Sequence, residues 1–149
     1  FIPQRVWQEE RTREQDLILH NIDFSAVGCD IDPAAVELTA ANAKKAGVEK
    51  YIKASVADIR SFTPPDERCL VITNPPYGER LLDIDAAEQF YRIMGERFVR
   101  GGGRKYFIIS PHDEFEKLFG AAADKRRKLY NGMIKCQLYM YFKSPEKRG

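Results

Sequence analysis

Asn74-Pro75-Pro76-Tyr77 follows directly on the apolar run at 69–73 (CLVIT), and side chains of these types in that place can act on a nucleobase amine. Two successive prolines have fixed φ and no N–H, so they hold a rigid turn that no sheet ladder can absorb. In open α/β sheets ligands bind outside the carboxyl ends of the strands, which is where this turn falls. An exocyclic amine on a planar base is a poor nucleophile because its lone pair is delocalised into the ring. Acceptors that bind its protons favour a pyramidal nitrogen, and the Asn74 side-chain oxygen and the Pro75 carbonyl are of that kind. Tyr77 can stack on the base and hold it in line with a sulfonium methyl group. Asn74, Pro75, Pro76 and Tyr77 are therefore the candidate catalytic residues for amine methylation. A rigid strand–helix turn with an exposed aromatic is the plainer alternative.

Two more strand ends carry acids. Asp30 closes the run 25–30 (SAVGCD), where a carboxylate can accept hydrogen bonds from both hydroxyls of a ribose, and Ile31 beside it can pack on an adenine ring. Asp32, before Pro33, is better explained as a helix N-cap. Asp58 follows the run 51–56 and could accept from an adenine amino group, although an acid there is also an ordinary turn residue.

The elements that must position these residues alternate. A polar helix is expected over 3–19, a strand over 25–30, a helix from Pro33 to about Ala46 stopped by Gly47, and a strand over 51–56. A proline-containing loop over 60–67 leads to a buried strand over 69–73. A helix over 85–100 follows, with Asp85 and Glu88 as a capping box and Ala87, Phe90, Tyr91, Met94 and Phe98 as its apolar stripe. Gly101-Gly102-Gly103 stops it before a buried strand over 105–110. Ser110-Pro111 is expected to cap a short helix ending at Phe119, closed by Gly120. Asn131-Gly132 predicts a type I′ turn joining antiparallel strands near 125–130 and 134–142. The pattern is α/β, a largely parallel sheet with a C-terminal antiparallel hairpin. Residues 1–24 form an N-terminal helical segment, and 25–149 the body of the domain.

Composition narrows the classes. The 149 residues are 44% hydrophobic and 31% charged, which excludes wholesale disorder and suits one domain. No apolar run nears the roughly 18 residues of a membrane span, so no membrane association is expected. Lys+Arg 24 against Asp+Glu 22 is too even to argue nucleic-acid binding from charge alone. Cys29, Cys69 and Cys136 are isolated and form no CxxC pair. They are expected to be reduced core residues of a cytoplasmic protein, with no metal site. His20 and His112 lack a matching acid or nucleophile. The basic runs at 125–128 and 143–148 are solvated faces or, with a nucleic-acid substrate, phosphate contacts.

The three strand-end motifs together resemble the Rossmann-like methyltransferases that use S-adenosylmethionine, in the amine-methylating branch. The stretches GCDIDPAAVELTAANAKKAGV (28–48), NPPYGERL (74–81) and ADKRRKLYNGMIKCQLYMYF (123–142) look like the THUMP-associated RNA methylase family. That family includes 23S ribosomal RNA guanine-N2 methyltransferases, and its members are often labelled N6-adenine-specific DNA methylases. The resemblance implies S-adenosylmethionine as cofactor and RNA, most simply ribosomal RNA, as partner. It implies Asp30 and Ile31 on the ribose and adenine, Asp58 on the adenine amine, and residues 74–77 as catalytic loop, Asn74 serving both cofactor and base. Glu79 and Arg80 order the loop as an ion pair or meet a phosphate. The family's first strand and Gly-rich cofactor loop are not found upstream of Ser25, so the chain is expected to be the C-terminal portion of a catalytic domain, inactive alone. The alternatives are adenine-N6 or cytosine-N4 methylation of DNA, and a non-enzymatic RNA-binding fragment.

Overall fold

The structure, a computed structural model, describes residues 1–19, 22–64, 68–77 and 84–144. Expectations for His20, for Gly78, Glu79, Arg80 and Leu81, and for the basic tail beyond Ser144 lie outside the described residues. The chain divides into two compact units, Phe1–Val56 and Ala57–Gly149.

In the first unit, α1 (Gln4–Asp16) is shorter than expected and buries none of its residues, as its nearly uniform polarity dictates. Strand β1 (Ala26–Asp30) leads into α2 (Pro33–Lys45). The Asp32 side chain caps that helix by accepting from the Ala34 N–H at 2.9 Å, and Pro33 supplies a first helical residue with no N–H to satisfy. Strand β2 (Ile52–Val56) returns parallel to β1, in register from Ala26 opposite Ile52 to Asp30 opposite Val56.

The second unit contains β3 (Leu70–Thr73), α3 (Ile84–Arg97), β4 (Lys105–Ser110), α4 (Phe115–Phe119), β5 (Lys125–Asn131) and β6 (Ile134–Tyr141). Its sheet has the order β3-β4-β6-β5, with β3 and β4 parallel and the hairpin antiparallel to them. Tyr91, Met94 and Phe98 of α3 and Phe115 and Phe119 of α4 pack on Tyr106, Ile108, Tyr139 and Tyr141 of the sheet. The rings mesh closely: Phe115 and Tyr139 are 4.4 Å apart between centroids, Phe98 and Tyr106 4.9 Å. Gly95 lets the two helices meet, because a Cβ there would lie 2.1 Å from the Phe119 carbonyl oxygen.

Several local expectations are corrected. Helix α3 is already under way at Ile84, so Asp85 sits in its first turn and is not the N-cap; Glu88 instead pairs with Arg92 at 2.9 Å. Helix α4 begins at Phe115 and is one turn long. Ser110 stays in β4, and its hydroxyl folds the next residues by accepting from the His112 N–H. Between Asn131 and Ile134, which pair across the hairpin, only Gly132 and Met133 form the turn. Gly132 has φ of +62° and no non-glycine residue among those described has positive φ, which is the II′ pattern and not I′. Strand β3 was expected to be buried, yet Leu70 and Ile72 are 57% and 70% exposed, since β3 is the edge of its sheet and neither α3 nor α4 covers their face. Of the cysteines only Cys136 is buried; Cys69 is half-buried and Cys29 exposed.

Candidate active site

The registers decide what gathers at one end of the second unit. Thr73 lies opposite Ile108 two residues before β4 ends, and Ser110 lies opposite Gln137 of the antiparallel β6. The turn after β3, the turn after β4 and the tip of the hairpin therefore share one end of the sheet. The hairpin overshoots β4 by Ile134, Lys135 and Cys136, about 10 Å at the usual strand rise. This overshoot forms an arm beside the turn at 74–77.

That turn is held from two sides. On the core side, the Tyr91 hydroxyl donates to the Pro76 carbonyl at 3.3 Å, and the Ser110 hydroxyl donates to Tyr91 at 3.2 Å. Tyr91 and Ser110 are both fully buried, so this support is dry and leaves little freedom. The chain of contacts continues through the His112 N–H onto Ser110 Oγ at 3.1 Å and the Tyr139 hydroxyl onto the His112 carbonyl at 3.2 Å. On the hairpin side, Asn131 Nδ2 donates to Tyr77 Oη at 3.3 Å, and Cys136 Sγ reaches the same oxygen at 3.9 Å. Tyr77 in turn donates its hydroxyl proton to Asn74 Oδ1. Burial pushes the Tyr77 hydroxyl above its ordinary pKa, as it does that of Tyr91, so both remain protonated donors at neutral pH.

Pro75 is buried, Tyr77 and Pro76 are half-buried, and Asn74 is exposed. The Asn74 amide oxygen is thus accessible and aligned to receive a hydrogen, since a neighbouring hydroxyl already supplies one. Four residues of this arrangement were not foreseen as part of a site. Tyr91 reads only as part of a helix stripe, Cys136 as core and Asn131 as a turn former, and Ser110, which could sit at a strand end near the cleft, is explained by capping. Their role becomes visible once the strand order places β6 beside β4.

The other expected residues are described by their own local contacts. In the first unit, Asp30 ends β1 and its Oδ1 accepts from the Asp32 N–H at 2.9 Å, which fixes the carboxylate while its second oxygen faces solvent; Ile31 beside it is exposed. Asp58, first acid of the second unit, caps the 3₁₀ turn Ile59–Ser61 and is gripped by Arg60, whose Nη2 lies 2.6 Å from Oδ2 and whose backbone N–H lies 2.8 Å from Oδ1. Side-chain hydrogen bonds from Arg60 hold the Asp58 carboxyl down to about 2. His112 Nε2 stands 3.6 Å from Glu88 Oε1, a contact that steadies the turn after β4. Among the described residues no group of three His, Cys, Asp or Glu could hold a metal ion, and no helix is long and apolar enough to cross a membrane.

Comparison with known proteins accords with this geometry. The chain is 31% identical over 142 residues to YpsC of Bacillus subtilis (strain 168), which is provisionally named an RNA methyltransferase; the match covers 95% of this chain and 37% of that protein. It is 36% identical over 140 residues to ribosomal RNA large subunit methyltransferase K/L of Shewanella baltica (strain OS185), covering 91% of this chain and 20% of the other. The crystal structure of SMU.472, provisionally called a methyltransferase and solved with SAH, superposes with a TM-score of 0.86 at 33% identity over 99% of this chain and 39% of that one. The chain therefore spans well under half the length of these relatives, and its α/β architecture is the Rossmann-like methyltransferase fold expected from the sequence. The family model described as the RMKL-like methyltransferase domain matches residues 3–140, which makes the chain a member of the UPF0020 family.

Proposed function

We propose that this chain carries the base-binding part of an S-adenosylmethionine-dependent methyltransferase that modifies an exocyclic amine of RNA, guanine N2 of ribosomal RNA being the target. The observation that carries the reading is the Asn74 amide oxygen, presented at a strand end and already engaged by a hydroxyl donor. An amine N–H of the substrate would take the place of that hydroxyl.

The residues offered to the cofactor suit it chemically. Asp30 keeps one carboxylate oxygen free beside an exposed isoleucine, a pairing that fits a ribose diol and the face of a purine. Asp58, the acid expected at the adenine amine, pairs with Arg60 within its own turn. When bound, S-adenosylmethionine supplies a methyl group already activated on sulfur, so no covalent enzyme intermediate is needed. The chain's own work is positioning. Asn74 Oδ1 and the Pro75 carbonyl bind the amine protons, Tyr77 lies along the base, and Tyr91 and Ser110 keep Pro76 from moving. The base must reach the turn from a loop or be flipped out of a helix. The SAH found with SMU.472 and the ribosomal RNA named for the Shewanella protein support these assignments of cofactor and substrate.

The test uses the full-length protein with tritium-labelled cofactor on ribosomal RNA, transfer RNA and duplex DNA. Label in ribosomal RNA that digests to N2-methylguanosine is expected; label in DNA alone overturns the substrate, and cofactor binding without transfer to any of them favours a binding module. Asn74→Ala is expected to cut transfer by about 100-fold or more, the scale of losing one aligned polar contact at a reacting centre, with cofactor affinity nearly unchanged. Full activity of that variant removes Asn74 from the reaction.

A further inference from the structure

The hairpin itself does not require asparagine at position 131. An I′ turn would have demanded it, because its central residues take positive φ, but the structure puts Asn131 one step earlier, as the last residue of β5 opposite Ile134. An exposed strand end of this kind accepts many side chains, and Asn is among the less favoured. What Asn131 does instead is donate from Nδ2 to Tyr77 Oη, across from another element of the sheet.

Among the described residues, three groups meet that hydroxyl. Asn74 Oδ1 takes its proton, while Asn131 Nδ2 and the Cys136 thiol donate to its oxygen, the thiol being the weaker partner at 3.9 Å. When a substrate amine claims Asn74 Oδ1, Tyr77 loses the acceptor within its own loop. Only the bonds it receives from the hairpin then fix its ring. The stronger of those bonds comes from Asn131, the last residue of β5, and the weaker from Cys136 of β6, the strand whose ladders with β4 and β5 set the register of the hairpin.

From this juxtaposition we infer that Asn131 is a positioning residue for the reaction, holding the Tyr77 hydroxyl from the hairpin side so that the ring stays aligned when the amine displaces it from Asn74. The inference rests on the reading of residues 74–77 as the base-binding turn. Asn131 acts through Tyr77 and touches no substrate. Its loss is therefore expected to show in turnover more than in cofactor binding.

A double-mutant cycle in the full-length protein, at saturating cofactor and RNA, tests it. Asn131→Ala is expected to lower kcat about tenfold, the effect of one well-placed hydrogen bond, with cofactor Kd unchanged. In a Tyr77→Phe background the same substitution is expected to cost nothing further, because the hydroxyl it serves is gone. Asn131→Leu, which keeps bulk and suits a strand but cannot donate, should match Asn131→Ala. Met133→Ala, at the neighbouring exposed turn position, should match the unaltered protein. Equal losses from Asn131→Ala in both backgrounds, full activity of Asn131→Leu, or an equal loss from Met133→Ala would each overturn the inference. If Asn74→Ala is fully active, the reading of the turn fails instead; if Asn74→Ala is inactive and the cycle is additive, only the role of Asn131 falls.

Discussion

The two units solve the same positioning problem with different means. In the second, the turn at 74–77 is backed by a core of interlocked rings, and buried Tyr91 and Ser110 transmit its rigidity to the Pro76 carbonyl. In the first, Ala43 is the one buried apolar residue among those described, and Asp30 owes its orientation to a single bond from the Asp32 N–H two residues on. Burial preorganises the side proposed for the base; local chain geometry preorganises the carboxylate proposed for the ribose. The difference suits the tasks. A weak amine nucleophile needs in-line placement, where small displacements are costly, whereas a charged acceptor at a diol tolerates adjustment.

The sharpest way to break this contrast is to cut into each unit. Phe115→Ala, which empties a fully buried site between Tyr91, Phe119 and Tyr139, is expected to cost about 3–5 kcal/mol in urea unfolding. Val27→Ala on β1, 51% exposed, is expected to cost under about 1 kcal/mol. Comparable losses would mean that the first unit has a core of its own and that the distinction is false.

A smaller effect probes how the core reaches the turn. Tyr91→Phe keeps the ring contacts but removes the hydroxyl that links Ser110 to the Pro76 carbonyl. A loss of about 1–2 kcal/mol is expected, because Ser110 is buried and loses its acceptor. Turnover of the full-length protein should fall with little change in cofactor affinity. If stability falls and turnover does not, the buried hydroxyls serve only the fold.

What could be read from the sequence follows the range of the interactions involved. Asp32 capping α2 and the apolar stripe of α3 depend on neighbours a few residues away, and each is where the pattern put it. The burial of Tyr139 and Tyr141 beneath α3 and α4 also follows from β6 being interior to its sheet. The errors came where a local signal competed with a longer-range one. Asn-Gly is a strong I′ signal, but pairing of Asn131 with Ile134 moved the turn to Gly-Met and freed the Asn side chain for Tyr77. Ser110-Pro111 reads as a helix start, yet Ser110 is claimed by the β6 ladder and by Tyr91, so α4 begins only at Phe115. The turn at 74–77 was legible because it is contiguous. Its supports at 91, 110, 131 and 136 were not, because only the strand order brings them to it.

Asp58 offers the finest test, since it belongs to the second unit yet is fixed in the manner of the first. Its neighbour Arg60, and no core residue, holds the carboxylate, with both oxygens engaged and the pair open to solvent. A carboxyl lowered to about 2 in the fold stabilises it above the unfolded value of about 3.9, and that contribution disappears as pH falls through the folded value. Arg60→Ala should return the Asp58 midpoint toward about 3.9 in a carbon-detected NMR titration. High salt should move the intact protein part of the way, because an exposed pair is screened. The fold around Phe115 should be indifferent to both changes. A midpoint that stays near 2 without Arg60 would mean that other groups of the second unit hold this carboxylate, and the line between burial-set and locally set residues would have to be redrawn on the near side of Asp58.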